Sequence, residues 1–314
     1  MPYELDHRLV VGVASSALFD LTESRQVFDE QGLEAYRTYQ VENIASTLRP
    51  GVAFPFVQRL LALNDLSPDD PLVEVFVLSK NDPTTGLRVL RSVEDHGLAI
   101  KRAAFTAGEA PLSYVRPLNI TLFLSGDEQD VQRATALNLP AGQVLGSSAV
   151  EADDGEPEAT LRVAFDFDGV LSDDEAERIW RDEGPAAYIE YERERRAEPL
   201  QPGPLRDFLL GLGRIQALER ARLDADVTYV PRVRVSVVTA RQAPTHERAV
   251  QTLRSWGVEV NDGFFLGGVS KDRVLRTLKP HIYFDDQRGH LDPLDGVVAR
   301  VLLPYGVANA TPTP

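Results

Sequence analysis

The stretch VAFDFDGVLS, residues 163–172, sets two carboxylates, Asp166 and Asp168, one residue apart. An apolar run precedes them and Gly169 follows, so the pair stands where a buried strand ends and a turn begins. Like charges this close resist dehydration, and some ligand or cation has to offset that cost. Taken alone, an Asp-x-Asp pattern is more often turn and cap chemistry. Its surroundings decide the reading.

Apolar runs of the same kind recur on both sides: RLVVGVASS (8–16), LVEVFVLSKN (72–81), NITLFLSGD (119–127), VRVSVVTAR (233–241) and HIYFDDQ (281–287). Amphipathic stretches such as FPFVQRLLALN (54–64) and HERAVQTLRSWG (246–257) lie between them. Buried β runs alternating with helical ones predict an α/β fold of doubly wound parallel sheets. The acidic stretch EADDGEPEA (151–159) has no large apolar residue and reads as a linker. The expected organisation is a first half over 1–150, a linker over 151–160 and a second half over 161–308. A charged helical insert over about 175–203 reads as a cap, and residues 309–314 as a disordered tail.

The second half reads as a repeat of the first. Setting Tyr36 on Tyr188 brings Tyr39 onto Tyr191, Pro50 onto Pro202, Gly51 onto Gly203 and Phe56 onto Phe208. After a short insertion near ALERARLDAD, Val75 falls on Val235, Arg88 on Arg248, Gly97 on Gly257 and Gly108 on Gly268. Two related α/β halves are the expectation.

Composition narrows the function. With 43% hydrophobic and 26% charged residues the chain is globular, not disordered. It has no cysteine, which excludes disulfides, thiolate metal sites and thiol nucleophiles and fits a reducing, cytoplasmic setting. A net charge of −15 argues against binding a nucleic-acid backbone. No stretch reads as a signal peptide or a membrane span. An acidic chain can still bind a small anion, with metal ions as the counterweight.

In the second half, four polar elements follow successive strand or turn signals, at the edge where open α/β sheets place their ligands. They are Asp166 with Asp168, then Thr239, then Lys271, then Asp285 with Asp286. Four carboxylates and a phosphate dianion would put about six negative charges in one pocket. A hard divalent ion and Lys271 would offset about half of these, and a proton on Asp168 one more. Carboxylate oxygens at this spacing suit a hard octahedral ion rather than zinc. The histidines show no ligand or triad spacing and read as structural or surface residues, with His281 packing beside the site. Trp180 and Trp256, on helical stretches, read as core.

This order of elements resembles the haloacid dehalogenase (HAD) superfamily of phosphohydrolases. The resemblance implies Asp166 as nucleophile, Asp168 as acid and then base, and Thr239, Lys271 and the turn at Gly169 as phosphate ligands. It also implies Mg²⁺ held by Asp166, the Asp168 carbonyl and the Asp285/Asp286 pair, Asp286 directly and Asp285 through water. Over residues 8–308 the chain is similar to the cytosolic type-I 5′-nucleotidases, in stretches such as RPGVAFPFVQRLLALN, QPGPLRDFLLGLGRIQ, FFLGGVSK and KPHIYFDDQ. That similarity implies Mg²⁺-dependent hydrolysis of nucleoside 5′-monophosphates, AMP first among them. Phe167 and Gly169 depart from the family pattern, which has a small residue and an alanine there. A phosphatase for another small ester, such as a sugar phosphate, and a nucleotide-binding regulator without turnover are the rival readings.

In the repeat register Asp166 falls on Ala14, Asp168 on Ser16, Thr239 on Ser79, Lys271 on Pro111, Asp285 on Ser125 and Asp286 on Gly126. The first half therefore lacks every metal-binding carboxylate and reads as catalytically silent. It would serve as scaffold and substrate wall, or as an effector-nucleotide site built on Ser79, Lys80 and Asn81. Arg241 is expected to approach the phosphate or ribose, with Ser79 and Asn81 as further substrate contacts.

Overall fold

The computed structural model describes residues 3–149 and 160–309. Of the expected linker only Thr160 lies within these residues, and of the expected tail only Asn309. The chain divides into two compact units, Met1–Glu151 and Ala152–Pro314.

In the first unit, β1 (Leu9–Val13), β2 (Val73–Ser79), β3 (Arg102–Phe105), β4 (Ile120–Ser125) and β5 (Ala141–Leu145) lie in the order β3-β2-β1-β4-β5. The second unit has β6 (Leu161–Phe165), β7 (Val233–Thr239), β8 (Asp262–Phe265), β9 (Ile282–Asp285) and β10 (Arg300–Leu302), in the order β8-β7-β6-β9-β10. All these pairings are parallel. β1 and β2 are buried along their whole length, as is β9, which is why they read as mainly apolar runs, broken in β2 by the buried Glu74. β3 and β8, the terminal strands of their orders, are short and half-covered. β10 has three residues and β5 contains Gly142 and Gln143, so neither carries the β-branched run that announces a strand.

The ladders repeat along with the sequence. Leu9 pairs with Val73 and Leu161 with Val233; Val11 pairs with Leu122 and Val163 with Ile282. Phe76 pairs with Arg102, and Ser236 with Asp262. These are the partners that the sequence register assigns to one another. Gly51 and Gly203 match as well: a Cβ at the first would meet the Phe19 backbone at 2.7 Å, and at the second the Ser172 carbonyl at 2.2 Å. Only glycine lets the chain pass that closely.

Two expectations about aromatic and imidazole residues change. Trp180 is 54% exposed, because the helix Glu175–Glu183 buries little besides Ala176. His281 precedes β9, at the opposite end of that strand from Asp285, where its Nδ1 accepts a hydrogen bond from the Arg162 amide at 2.9 Å. The second unit's core is an aromatic stack, Phe165 against Phe284 with centroids 5.2 Å apart and Phe208 closing the group. It seats β6 and β9 side by side. Successive connections from β6 run out to β7 and β8 before the chain returns to β9 on its other side. Such a reversal leaves a crevice at the carboxyl ends of the two strands, the usual ligand position in open α/β sheets.

Candidate active site

Asp166 directly follows β6 and is buried in that crevice. Its amide donates to the Phe284 carbonyl at 2.8 Å, and its Oδ1 accepts from the Phe167 amide at 2.7 Å. Its Oδ2 lies 2.6 Å from Lys271 Nζ, which also reaches Asp285 Oδ2 at 2.8 Å. Lys271 opens the helix Lys271–Leu278. A cation is out of place in a helix's first turn, where the macrodipole is positive. The residue serves the crevice rather than the helix, and its ammonium is buried between two carboxylates.

One ammonium does not neutralise this cluster. Burial raises the Asp166 carboxyl to about 7, with Lys271 opposing the shift and Asp285 and Asp168 adding to it. Burial pushes Asp285 in the same direction, yet Lys271 and His290 hold it well below the usual carboxylate range. Lys271 is raised: burial would lower it, and Asp166 and Asp285 outweigh the burial.

Asp285 is fully engaged. Its Oδ2 accepts from Lys271 and the Tyr283 hydroxyl, and its Oδ1 from the Gln287 amide at 2.8 Å, with His290 Nδ1 3.0 Å away. Asp286 is the opposite case. It is buried, and neither carboxylate oxygen has a hydrogen-bond partner. Burial, Asp166, Asp285 and Glu177 push it up to about 10. Its carboxylate lies against Gly169, whose φ is +73° and where a Cβ would stand 2.5 Å from Asp286 Oδ2. An acidic, oxygen-rich crevice with one carboxylate left bare fits a hard divalent cation. Among the described residues, Asp166, Asp285 and His290 also each bring a ligand atom within 4.8 Å of one another.

The remaining expected residues are placed as follows. Asp168 faces Arg241, which forks onto it: Nη2 donates to Oδ1 at 2.7 Å and Nε to Oδ2 at 2.8 Å. Arg241 is buried and also donates to Glu192 and to the Thr245 carbonyl. The hydrogen bonds that place Arg241 run to these protein groups. Thr239 ends β7 and accepts from the Arg241 amide at 3.2 Å. In the first unit the Ser79 hydroxyl lies 3.1 Å from that of Ser15, and Asn81 Oδ1 accepts from the Tyr36 hydroxyl at 2.8 Å. Lys80 is held by Asp127 at 2.7 Å and Asp130 at 3.0 Å.

Sequence reasoning missed His290, Tyr283, Glu192 and Asn309. Tyr283 lies two residues before Asp285 on a strand, hence on the same face, which a period-two reading finds. His290 falls opposite Asp130 in the repeat register, and both sites hold a polar group that contacts a charged partner. Glu192 is buried within the charged helical insert, where the spacing of charges marks none of the glutamates as turned inward. Asn309, expected in the disordered tail, closes the short turn Val307–Asn309 and donates to the Asp286 carbonyl at 2.8 Å.

Fold and crevice together define an α/β protein with a buried acidic, cation-seeking centre at a topological switch point. The chain belongs to the 5′-nucleotidase family, whose model matches residues 1–310. It is 33% identical over 297 residues to human cytosolic 5′-nucleotidase 1B, covering 93% of this chain and 48% of that protein. The chain thus spans about half the length of this curated relative. A solved histidinol dehydrogenase from Elizabethkingia anophelis, 9% identical, covers 89% of this chain and 61% of its own with a TM-score of 0.23, too low to bear on the fold. Among the described residues no helix is long and apolar enough to cross a membrane.

Proposed function

We propose that the second unit is a HAD-type, Mg²⁺-dependent phosphomonoesterase that cleaves nucleoside 5′-monophosphates, AMP foremost, to nucleoside and phosphate. The observation that carries this is the meeting of Asp166, Lys271 and Asp285 with the bare carboxylate of Asp286 at the switch point. Family membership supports the substrate class. Bound Mg²⁺ would supply charge neutralisation that lets the phosphate dianion share the crevice with these acids. The Asp286 carboxylate, Asp166 and the Asp168 carbonyl would hold it. Asp285, whose donors are already in place, is the weaker candidate for direct ligation despite its proximity to Asp166 and His290.

In this reading an Asp166 oxygen attacks phosphorus and the P–O5′ bond breaks, with O5′ taking a proton from Asp168. Water then attacks the aspartyl phosphate and gives its proton to Asp168, freeing phosphate and Asp166. Lys271, with Thr239 and the turn amides near Gly169, serves the phosphoryl oxygens. The helices Glu175–Glu183 and Pro185–Glu194 act as the cap, limiting bulk water around the reacting phosphate. The first unit, with Ala14, Ser16, Ser125 and Gly126 at the equivalent places, does no chemistry. The cytosolic relative suggests the cytoplasm as compartment.

A panel of nucleoside monophosphates and sugar phosphates, assayed for phosphate release with Mg²⁺ and with chelator, tests this. Release from AMP that chelator stops and Mg²⁺ restores is expected. No release from any nucleotide, or release indifferent to chelator, would overturn it.

A further inference from the structure

Each unit buries an arginine in the same setting. Arg88 donates Nε to the Ser46 carbonyl at 2.9 Å and Nη1 to Gln40 at 3.2 Å, with the Tyr39 ring 5.6 Å away. Arg248 donates Nε to the Glu198 carbonyl at 2.9 Å and Nη1 to Glu192 at 2.9 Å, with the Tyr191 ring 5.5 Å away. A network kept in the unit without the acidic centre belongs to the fold. Three positions around it differ together: the second unit has Glu192, Arg241 and Asp168 where the first has Gln40, Asn81 and Ser16.

Those three form one chain of contacts. Glu192, fully buried on the helix Pro185–Glu194, accepts from Arg241 Nη1, and Arg241 forks onto both oxygens of Asp168. The Phe167 ring lies 5.4 Å from the guanidinium. Burying Glu192 and Arg241 beside the part-exposed Asp168 costs desolvation energy and adds little stability. Orientation is what the fork supplies: both Asp168 oxygens are fixed, with the Ser172 hydroxyl also 3.4 Å from Oδ1 and a lone pair left on Oδ2 for a proton.

We propose that Arg241, itself held by Glu192 of the cap helix, is the positioning residue that sets Asp168 for the water-attack half of the reaction. This rests on the hydrolytic reading above. In that step the water oxygen bonds to phosphorus and the bond from phosphorus to Asp166 breaks, its electron pair returning to the carboxylate. The water's proton passes to Asp168. Having delivered a proton to O5′ in the first half, Asp168 is ionised, the form that the fork holds.

The test is acid quenching during steady-state turnover of ³²P-labelled AMP, reading the protein-bound phosphate fraction beside kcat, KM and the melting temperature. Arg241→Asn copies the first unit, where Asn81 is accommodated beside Tyr36, the equivalent of Tyr188. It should lower kcat by about tenfold or more while the phosphoenzyme fraction rises, with KM little changed. Arg241→Lys should restore part of the rate, and Glu192→Gln, matching Gln40, should shift the fraction the same way but less. Wild-type phosphoenzyme with an unaltered fraction in all three variants would overturn the positioning role alone. Wild type without turnover would overturn the hydrolytic reading, and this inference with it.

Discussion

Asp286 gives the residue scale its sharpest test. A buried carboxylate without a donor destabilises the metal-free protein, because folding strips its hydration and returns nothing. Asp286→Asn should therefore raise metal-free stability by about 1–3 kcal/mol in denaturant unfolding. It should also erase the rise in melting temperature that Mg²⁺ gives the wild type. Asp166 and Asp286 are both raised above their unfolded values, to about 7 and about 10. Stability from such groups is complete at acid pH, below the unfolded value, and is lost as pH climbs through each folded value. The metal-free protein should accordingly unfold at lower denaturant at pH 9 than at pH 5, and Mg²⁺ should narrow that gap by displacing the protons. A midpoint that rises from pH 5 to 9 in chelator would contradict the burial argument. Asp166, Lys271, Asp285 and Asp286 were legible from the sequence because each follows a strand or turn signal. Glu192 was not, since a charged helical run does not announce which of its glutamates is turned inward.

Strands and turns carry the next scale. The long buried strands could be read directly, whereas β3, β5, β8 and β10 could not: short length, half-exposure or a glycine removes the alternation that marks a strand. Trp180 shows the same limit for helices, where a large aromatic on an amphipathic stretch was expected inside and lies mostly in solvent. The turn after β6 is more exacting. Gly169→Ala would put a methyl 2.5 Å from Asp286 Oδ2 at a φ of +73°. It should cost about 1–3 kcal/mol of stability, read by denaturant unfolding. A variant of unchanged stability would show that the turn tolerates a side chain and that Asp286 is free to move.

At the scale of the whole molecule, one strand order occurs twice and, among the described residues, its acidic centre once. The repeat was legible in the sequence from the spacing of matched Tyr, Gly and Phe positions despite few identities, and equal strand orders and ladder partners follow the same register. What the alignment of letters could not give was how the first unit lives without the carboxylates. There, hydroxyls of Ser15 and Ser79 pair with each other, and Lys80 supplies an internal cation to Asp127 and Asp130. Calorimetric titration with Mg²⁺ should thus find one site per chain, lost in Asp286→Asn; two equivalent sites would contradict a silent first unit. The most direct measurement of the central claim is to locate the phosphoryl group during turnover, by quenching the AMP reaction in acid and mapping the labelled peptide by mass spectrometry. The account predicts phosphate on Asp166 and none in Asp166→Asn. Label on another residue, or undiminished phosphate release by Asp166→Asn, would contradict it.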